Sequence, residues 1–426
     1  MAAPSLWEAT ADSAPSHPAL TEEVRADVAI VGAGYTGLSA ALQIARDGRR
    51  AVVLEADTVG WGANGRNGGL VSGKFRVPLH VVAAMHGKEE ARRLLYLGKQ
   101  AVETVAELIA EHGIGSADFR MSGYVTGAHS PPAFAAQRAA TEWLAAELGD
   151  SSSRILDRQE VAAEIGSSTY VGGVLNAAAG CLRPLDYVHG LARAATRLGV
   201  ELFKTSPAIS VERDGADIRV RTSRGSVRAR QLVLATNAYS GREAATGDLR
   251  VRVIPFRSAI VATAPLPDAV RKRILPNGRV AADTRRLLRW YRMVDRRLVF
   301  GGRGAFGQED SEVAFNRLAA DMAHTFPDLG GARIDYRWSG LVAMTIDQLP
   351  HAGELDDNVF FAGGYNGTGV AMASFLGRQL AALTHGEKPE LGLIGRPLKP
   401  IPLRAFVTPA VRTVTGWYQL LDAIGR

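Results

Sequence analysis

The chain has 426 residues, 46% of them hydrophobic and 22% charged, with a formal net charge of +7 at pH 7. That length exceeds what one hydrophobic core usually serves and calls for two domains, while only seven of the 50 basic residues are lysine and no block of five like charges occurs, which argues against nucleic-acid binding. The lone cysteine, Cys181, excludes an internal disulfide and cysteine-pair metal sites; the acidic, proline-bearing start is wrong for a signal peptide, and no apolar run reaches the ~18 residues that span a bilayer, so a cytoplasmic protein without a metal or a transmembrane segment is expected.

Val28 to Val31 reads as a buried strand, and Gly32, Gly34 and Gly37 follow it at G-x-G-x-x-G spacing. In such a turn the first glycine permits the reversal, the second lets backbone approach a pyrophosphate, and the third lets the helix pack on the strand. The pyrophosphate then meets free N–H groups and the positive end of the helix dipole. Leu38, Ala41, Leu42 and Ala45 recur at helical spacing, Gly48 ends the helix, and Ala51 to Leu54 form a second strand. Glu55 falls at its end, where an acid accepts hydrogen bonds from ribose hydroxyls and repels a 2′-phosphate. This run holds a dinucleotide, but alone it does not separate NAD from FAD.

A glycine-dense loop, Gly60 to Gly69, comes next, with Gly73 beyond it. Residues 86 to 112 and 131 to 149 read as helices, Met121 to Thr126 as a strand, and Leu185 to Leu198 as a helix capped by Gly199. Short strands follow at Ala208 to Glu212, Asp217 to Thr222 and Gln231 to Ala235, with Gly215 and Gly225 at the turns. Residues 250 to 304 read as arginine-rich strands. The last apolar strand, Val359 to Ala362, enters a second glycine-rich turn, Gly363 to Gly369, and then a helix from Val370 to Thr384. Val411 to Ile424 is weakly amphipathic, and packing against the body is expected of it rather than membrane contact.

Both glycine-rich turns follow apolar strands and suit close backbone approach to a flat ring. The second also opens a helix, whose N–H groups and dipole favour a ring that becomes negative on reduction. That suits a flavin better than a nicotinamide, which loses positive charge when reduced. A nicotinamide-dependent dehydrogenase remains the rival reading of the first motif, and a non-catalytic FAD-binding module the rival of another class.

The run Val28 to Glu55, the loop Gly60 to Gly69 and the closing Phe361 to Val370 resemble those of the FAD-dependent D-amino-acid-oxidase-like (DAO) oxidoreductases, and within them the gamma-glutamylputrescine oxidoreductases. Supporting motifs are Ser5 to Thr10, Arg183-Pro184-Leu185, Leu234 to Tyr239, and Arg337 to Gly340 ahead of Leu349-Pro350-His351. The resemblance implies an α/β fold, with a Rossmann-like FAD-binding domain interleaved with an α+β substrate domain carrying an antiparallel sheet. It implies an N-terminal arm at 1–24, FAD-binding stretches at 25–80, 150–245 and 336–390, substrate stretches at 81–149 and 246–335, and a C-terminal tail at 391–426. It further implies oxidation of a small-molecule amine by hydride transfer from the carbon next to nitrogen to flavin N5, then hydrolysis of the imine, with oxygen or another acceptor taking the electrons. The leading substrate is gamma-glutamylputrescine or a similar omega-amino compound; another amine or amino acid of the glycine, sarcosine or D-amino-acid type is the alternative.

By the same resemblance Gly32, Gly34, Tyr35, Thr36, Gly37, Glu55 and Ala56 hold the ADP half of non-covalent FAD. Asn64, Arg66, Asn67, Gly68 and Gly69 lie along the flavin, Ala208 serves the adenine side, and Ala235 and Thr236 line the cleft. Gly364, Asn366, Gly367, Thr368 and Gly369 meet the pyrimidine end of the ring. No catalytic constellation is visible. Tyr291, Trp338 and Met344 are candidates for an apolar or cation-binding wall, Arg257, Arg289, Arg292 and Arg303 for a carboxylate contact, and Lys74 and His351 for proton transfer.

Overall fold

The computed structural model describes residues 4–305, 310–402, 409 and 413. Its first sheet runs, edge to edge, through His351–Asp356, Val359–Gly363, Ser226–Leu234, Glu23–Val31, Ala51–Leu54 and Glu201–Phe203. The edge strand His351–Asp356 is antiparallel and the other five are parallel. Ala51–Leu54 and Val359–Gly363 are buried along their whole length, as a sheet covered on both faces demands. Register aligns Val31 with Leu54 and Leu234, and Leu234 with Phe361. Four strands therefore end side by side at one rim, the place where open α/β sheets take ligands. The hairpin Ser210–Asp214 and Asp217–Arg221 extends the sheet along the other half of Ser226–Leu234.

The second sheet runs Ile334–Met344, Ile254–Thr263, Arg297–Ala305, Arg289–Val294, Val280–Asp283, Tyr124–Gly127, Gly173–Asn176 and Ser153–Leu156. It is antiparallel except between Val280–Asp283 and Tyr124–Gly127. One face joins the main core: Ile260, Ala282, Trp290, Val299 and Trp338 cluster with Val28, Ile30 and Val53 of the first sheet. The opposite face forms a second core, in which Tyr291, Phe300, Phe315 and Phe326 are buried.

The sheet boundary does not follow the expected division of the chain. Ser153–Leu156, Gly173–Asn176 and Ile334–Met344, assigned from sequence to the cofactor stretches (the last from residue 336 on), all pair into the second sheet. Conversely, Lys88–His112 lies in a stretch assigned to the substrate side, yet it buries Leu94, Ala101, Val105 and Leu108 in the main core beside Gly369–Thr384 and Pro184–Arg197. Short strands of mixed polarity carry no local sign of which sheet they join. Among the described residues no helix is long and apolar enough to cross a membrane. The stretch Val411 to Ile424 lies, Thr413 apart, outside the described residues.

Candidate functional site

At the aligned rim lies a cleft of about 1300 Å³, including the solvent at its mouth. Gly32, Gly34, Tyr35, Thr36, Glu55 and Ala56 line it, and so do Asn64, Asn67, Ala208, Ala235, Thr236, Gly367 and Gly369. Gly32 has φ +107° and leaves no room for a side chain, because a Cβ would stand 2.9 Å from the Ala235 carbonyl oxygen. Gly37 serves packing instead of the cleft wall: its Cβ would meet the Gly32 carbonyl oxygen at 2.0 Å. Glu55 Oε2 accepts from the Ala33 N–H at 2.9 Å and Oε1 from the Asp57 N–H at 3.1 Å. Burial raises this carboxyl above its ordinary value, against the lowering effect of those N–H groups.

Two helices begin at the cleft, Tyr35–Arg46 after Gly34 and Gly369–Thr384 after Thr368, and neither start is capped by a side chain. Their first N–H groups are thus left for a bound acceptor. Thr36 Oγ1 and the Tyr365 hydroxyl, 2.6 Å apart and buried, join the two starts.

The loop before residue 70 is held from behind. Trp338 Nε1 donates to the Arg66 carbonyl at 3.1 Å, and Trp7 Nε1 to that of Asn67 at 2.9 Å. Arg292 Nη1 donates to Gly68 and Gly69 at 3.1 and 3.2 Å and to Leu182 at 2.7 Å. Four successive carbonyls are thus tied to buried donors on the side of the second sheet and of the N-terminal helix Leu6–Thr10. That helix is fixed by a capping box between Ser5 and Glu8. Gly68 lies under the Trp290 ring, 2.4 Å from where its Cβ would be.

Other expected residues are placed differently. Arg66, Gly68, Gly69, Gly364, Asn366 and Thr368 are absent from the cleft lining. Arg66 donates from Nε to the Trp61 carbonyl at 2.8 Å and stacks on the Trp61 ring. Gly364 adopts φ +72° with its Cα packed on Thr345. Both ends of the buried Asn366 amide are bonded inside the protein: Oδ1 accepts from the Thr345 N–H at 2.9 Å, and Nδ2 donates to Thr345 Oγ1 at 3.0 Å and to the Gly364 carbonyl. Thr368 Oγ1 donates to the Tyr365 carbonyl at 3.0 Å. These three residues shape the second turn from within.

Tyr291 is not a cleft wall; it is buried in the second core, stacked on Phe300 at 5.3 Å and bonded to the Tyr170 hydroxyl at 2.9 Å. Register explains this, because Tyr291 and Trp290 point to opposite faces of one strand. Trp338 supports the loop, and Met344 is half-buried beyond the lining. His351 is buried between the Arg396 carbonyl and the Asp347 carboxylate, 3.0 Å from each, away from the cleft. Arg289 pairs with Asp321 at 2.6 Å, and Arg257 with Asp310 at 3.3 Å. The side chain of Arg303 lies outside the described residues. Cys181 is buried in a two-stranded sheet with Leu70–Val71.

Several lining residues were not expected: Trp61, Tyr239, Arg242, Glu243, Leu341, Val342, Ala343, Tyr365 and Ala373. Trp61, Tyr239 and Tyr365 stood within motifs already recognised, each beside a named position. Arg242, whose guanidinium lies 4.7 Å from the Trp61 ring centre, carried no local signal. Leu341 to Ala343 reach the cleft only through the pairing of a long strand that the sequence did not reveal.

The donor set fits a dinucleotide with a flat ring system: a cradle that any Cβ at Gly32 would fill, an acid at the end of the second strand, and two uncapped helix starts. Comparison with known proteins bears on which one. The family model described as "DAO: FAD dependent oxidoreductase" matches residues 27–383. The chain is 33% identical over 416 residues to "Probable oxidoreductase OrdL" of Haemophilus influenzae, covering 95% of this chain and 94% of that one. It is 30% identical over 424 residues to "Gamma-glutamylputrescine oxidoreductase" of Escherichia coli, covering 99% and 98%. Among solved structures, glycine oxidase from Geobacillus kaustophilus superposes with a TM-score of 0.71 at 22% identity, over 88% of this chain and all of that one. This chain belongs to the DAO family of FAD-dependent oxidoreductases.

Proposed function

We propose that the chain oxidises an amine at the carbon next to nitrogen, with gamma-glutamylputrescine or a similar omega-amino compound as substrate. FAD, when bound, supplies the hydride acceptor. On this reading Gly32, Gly34 and the start of Tyr35–Arg46 hold the pyrophosphate, Glu55 binds ribose hydroxyls, and Ala208, Ala235 and Thr236 close the cleft around the cofactor. The loop through Asn64 and Asn67 and the start of Gly369–Thr384 receive the ring. The domain built on the first sheet is the cofactor domain, and the second sheet closes over it as the substrate domain.

The single observation that carries the substrate reading is the apolar wall of Leu341, Val342, Ala343, Val370 and Ala373 in the cleft. A carboxylate packed directly on these five side chains finds no donor among them, at a cost of several kcal/mol. An amine entering neutral meets no such penalty. An apolar wall desolvates what packs on it, so orientation and desolvation are the protein's part, as expected where the cofactor carries the reactive atom. The relative named for gamma-glutamylputrescine, matched along almost its whole length, supports the same class.

Anaerobic mixing of the flavin-loaded protein with separate amines tests this. Gamma-glutamylputrescine should bleach the flavin faster than glycine, sarcosine or D-amino acids. A protein bleached by the amino acids and not by the omega-amines overturns the substrate reading, and one bleached by no amine overturns the reaction.

A further inference from the structure

Against the face of the second sheet turned toward the main core, an ammonium and a phenol hydroxyl stand without an ion pair or a hydrogen bond among the described residues. Lys74 Nζ lies 5.0 Å from the centre of the Tyr124 ring, and no carboxylate among the described residues lies within ion-pair distance of it. The Tyr124 hydroxyl makes no hydrogen bond among the described residues. Solvent reaches the Lys74 side chain, yet the surrounding protein desolvates it enough to lower the ammonium to about 8.

An ammonium with no ion pair, beside a hydroxyl with no hydrogen bond, is a donor set for a single carboxylate. The sheet fixes its distance from the cofactor loop. Tyr124 pairs with Val280, and Ala282, two residues on, pairs with Trp290, whose ring covers Gly68. Two strand spacings across and two residues along put Tyr124 about 12 Å from Trp290. An amine that is oxidised at the loop and reaches this set must be elongated, with its acid at the opposite end.

We infer that Lys74 and Tyr124 form a subsite for the remote carboxylate of an elongated omega-amino amide that ends in an acid. This rests on the amine-oxidising reading above and adds to it the group that selects the substrate. In gamma-glutamylputrescine the carboxylate lies nine bonds from the oxidised carbon, roughly the length of three extended residues.

The test compares gamma-glutamylputrescine with N-acetylputrescine, which keeps the amine and the amide and lacks the acid. Wild-type protein should need about tenfold less of the first for half-maximal anaerobic bleaching. Lys74→Met should erase that difference while leaving the limiting bleaching rate within about threefold, and Lys74→Arg should keep most of it. Calorimetric titration with glutaramate, an acid and amide with no amine, should show binding to the wild type and the arginine variant and none to Lys74→Met. Equal half-saturation by both amines in the wild type, or a Lys74→Met effect shared equally by both, overturns the subsite and leaves the amine reaction standing. A wild type bleached by neither amine that still binds glutaramate through Lys74 overturns the reaction and leaves the subsite standing.

Discussion

At the scale of single residues, the cleft depends on positions where no side chain fits. An alanine at Gly32 would have to hold φ near +107° with its Cβ 2.9 Å from a backbone oxygen that cannot move aside. Strain of roughly 1–3 kcal/mol is relieved only by opening the turn, so Gly32→Ala should fold and yet bind FAD about tenfold or more weakly. Flavin absorbance retained per mole of protein after gel filtration measures this, and retention equal to wild type would refute the assignment. Lys74 adds a pH dependence. A bound carboxylate favours the protonated amine, so the anion's advantage is complete below about pH 8 and declines as pH rises through that value. The facing groups do not supply it, since burial pushes the Tyr124 phenol above its ordinary range and Asp283 behind it is paired with Arg285 at 2.6 Å. The preference for gamma-glutamylputrescine over N-acetylputrescine should therefore shrink above pH 8 in the wild type and persist to higher pH in Lys74→Arg; a preference constant through pH 9.5 counts against the role. Glycine positions of this kind were legible in the sequence because spacing alone marks them. Lys74 was legible as a candidate for proton transfer and not for a carboxylate contact, since the strand beside it comes from about 50 residues away.

At the scale of elements, the two helices that open on the cleft were readable almost to the residue from their apolar spacing and their flanking glycines. Their contact was not. Gly377 sits inside Gly369–Thr384, where propensity alone says that alanine would stabilise by up to ~1 kcal/mol. In the fold a Cβ there would meet the Thr36 carbonyl oxygen at 2.4 Å and Ser39 Cβ at 2.7 Å. Overpacking a helix–helix contact costs about 1–3 kcal/mol, so the contact outweighs the propensity. Both helices begin at the cleft and are tied there by Thr36 and Tyr365, so a shift of one moves both sets of N–H groups. Gly377→Ala should lower the thermal midpoint and weaken FAD binding together. A variant more stable than wild type, with unchanged FAD affinity, would mean that the helices separate without disturbing the cleft. The long strand Ile334–Met344 shows the opposite limit of sequence reading: it lacks clean alternation, and its identity comes from its pairing with Ile254–Thr263 along its length.

At the scale of the molecule, two glycine turns some 300 residues apart converge on one cleft because parallel strands bring their ends to a common rim. That convergence was foreseeable from the motifs, whereas the division between sheets was not, since Ser153–Leu156, Gly173–Asn176 and Ile334–Met344 join the second sheet through long-range pairing alone. The main core is shared: Ile260, Trp290 and Trp338 pack in one cluster with Val28 and Ile30, and the loop at Arg66 to Gly69 is held by donors from the second sheet. Neither sheet can lose its packing without exposing the other's apolar face. Calorimetry should therefore show one cooperative transition instead of two. Free FAD at about 100 times its dissociation constant should stabilise the whole by about 2.7 kcal/mol. Because Trp290 covers Gly68, tryptophan fluorescence from the second sheet should report the same midpoint as flavin release and rise with it as FAD is added. If tryptophan fluorescence melts at a temperature indifferent to FAD, the sheets unfold separately, and the hold that Arg292, Trp338 and Trp290 exert on the cofactor loop is not what couples them.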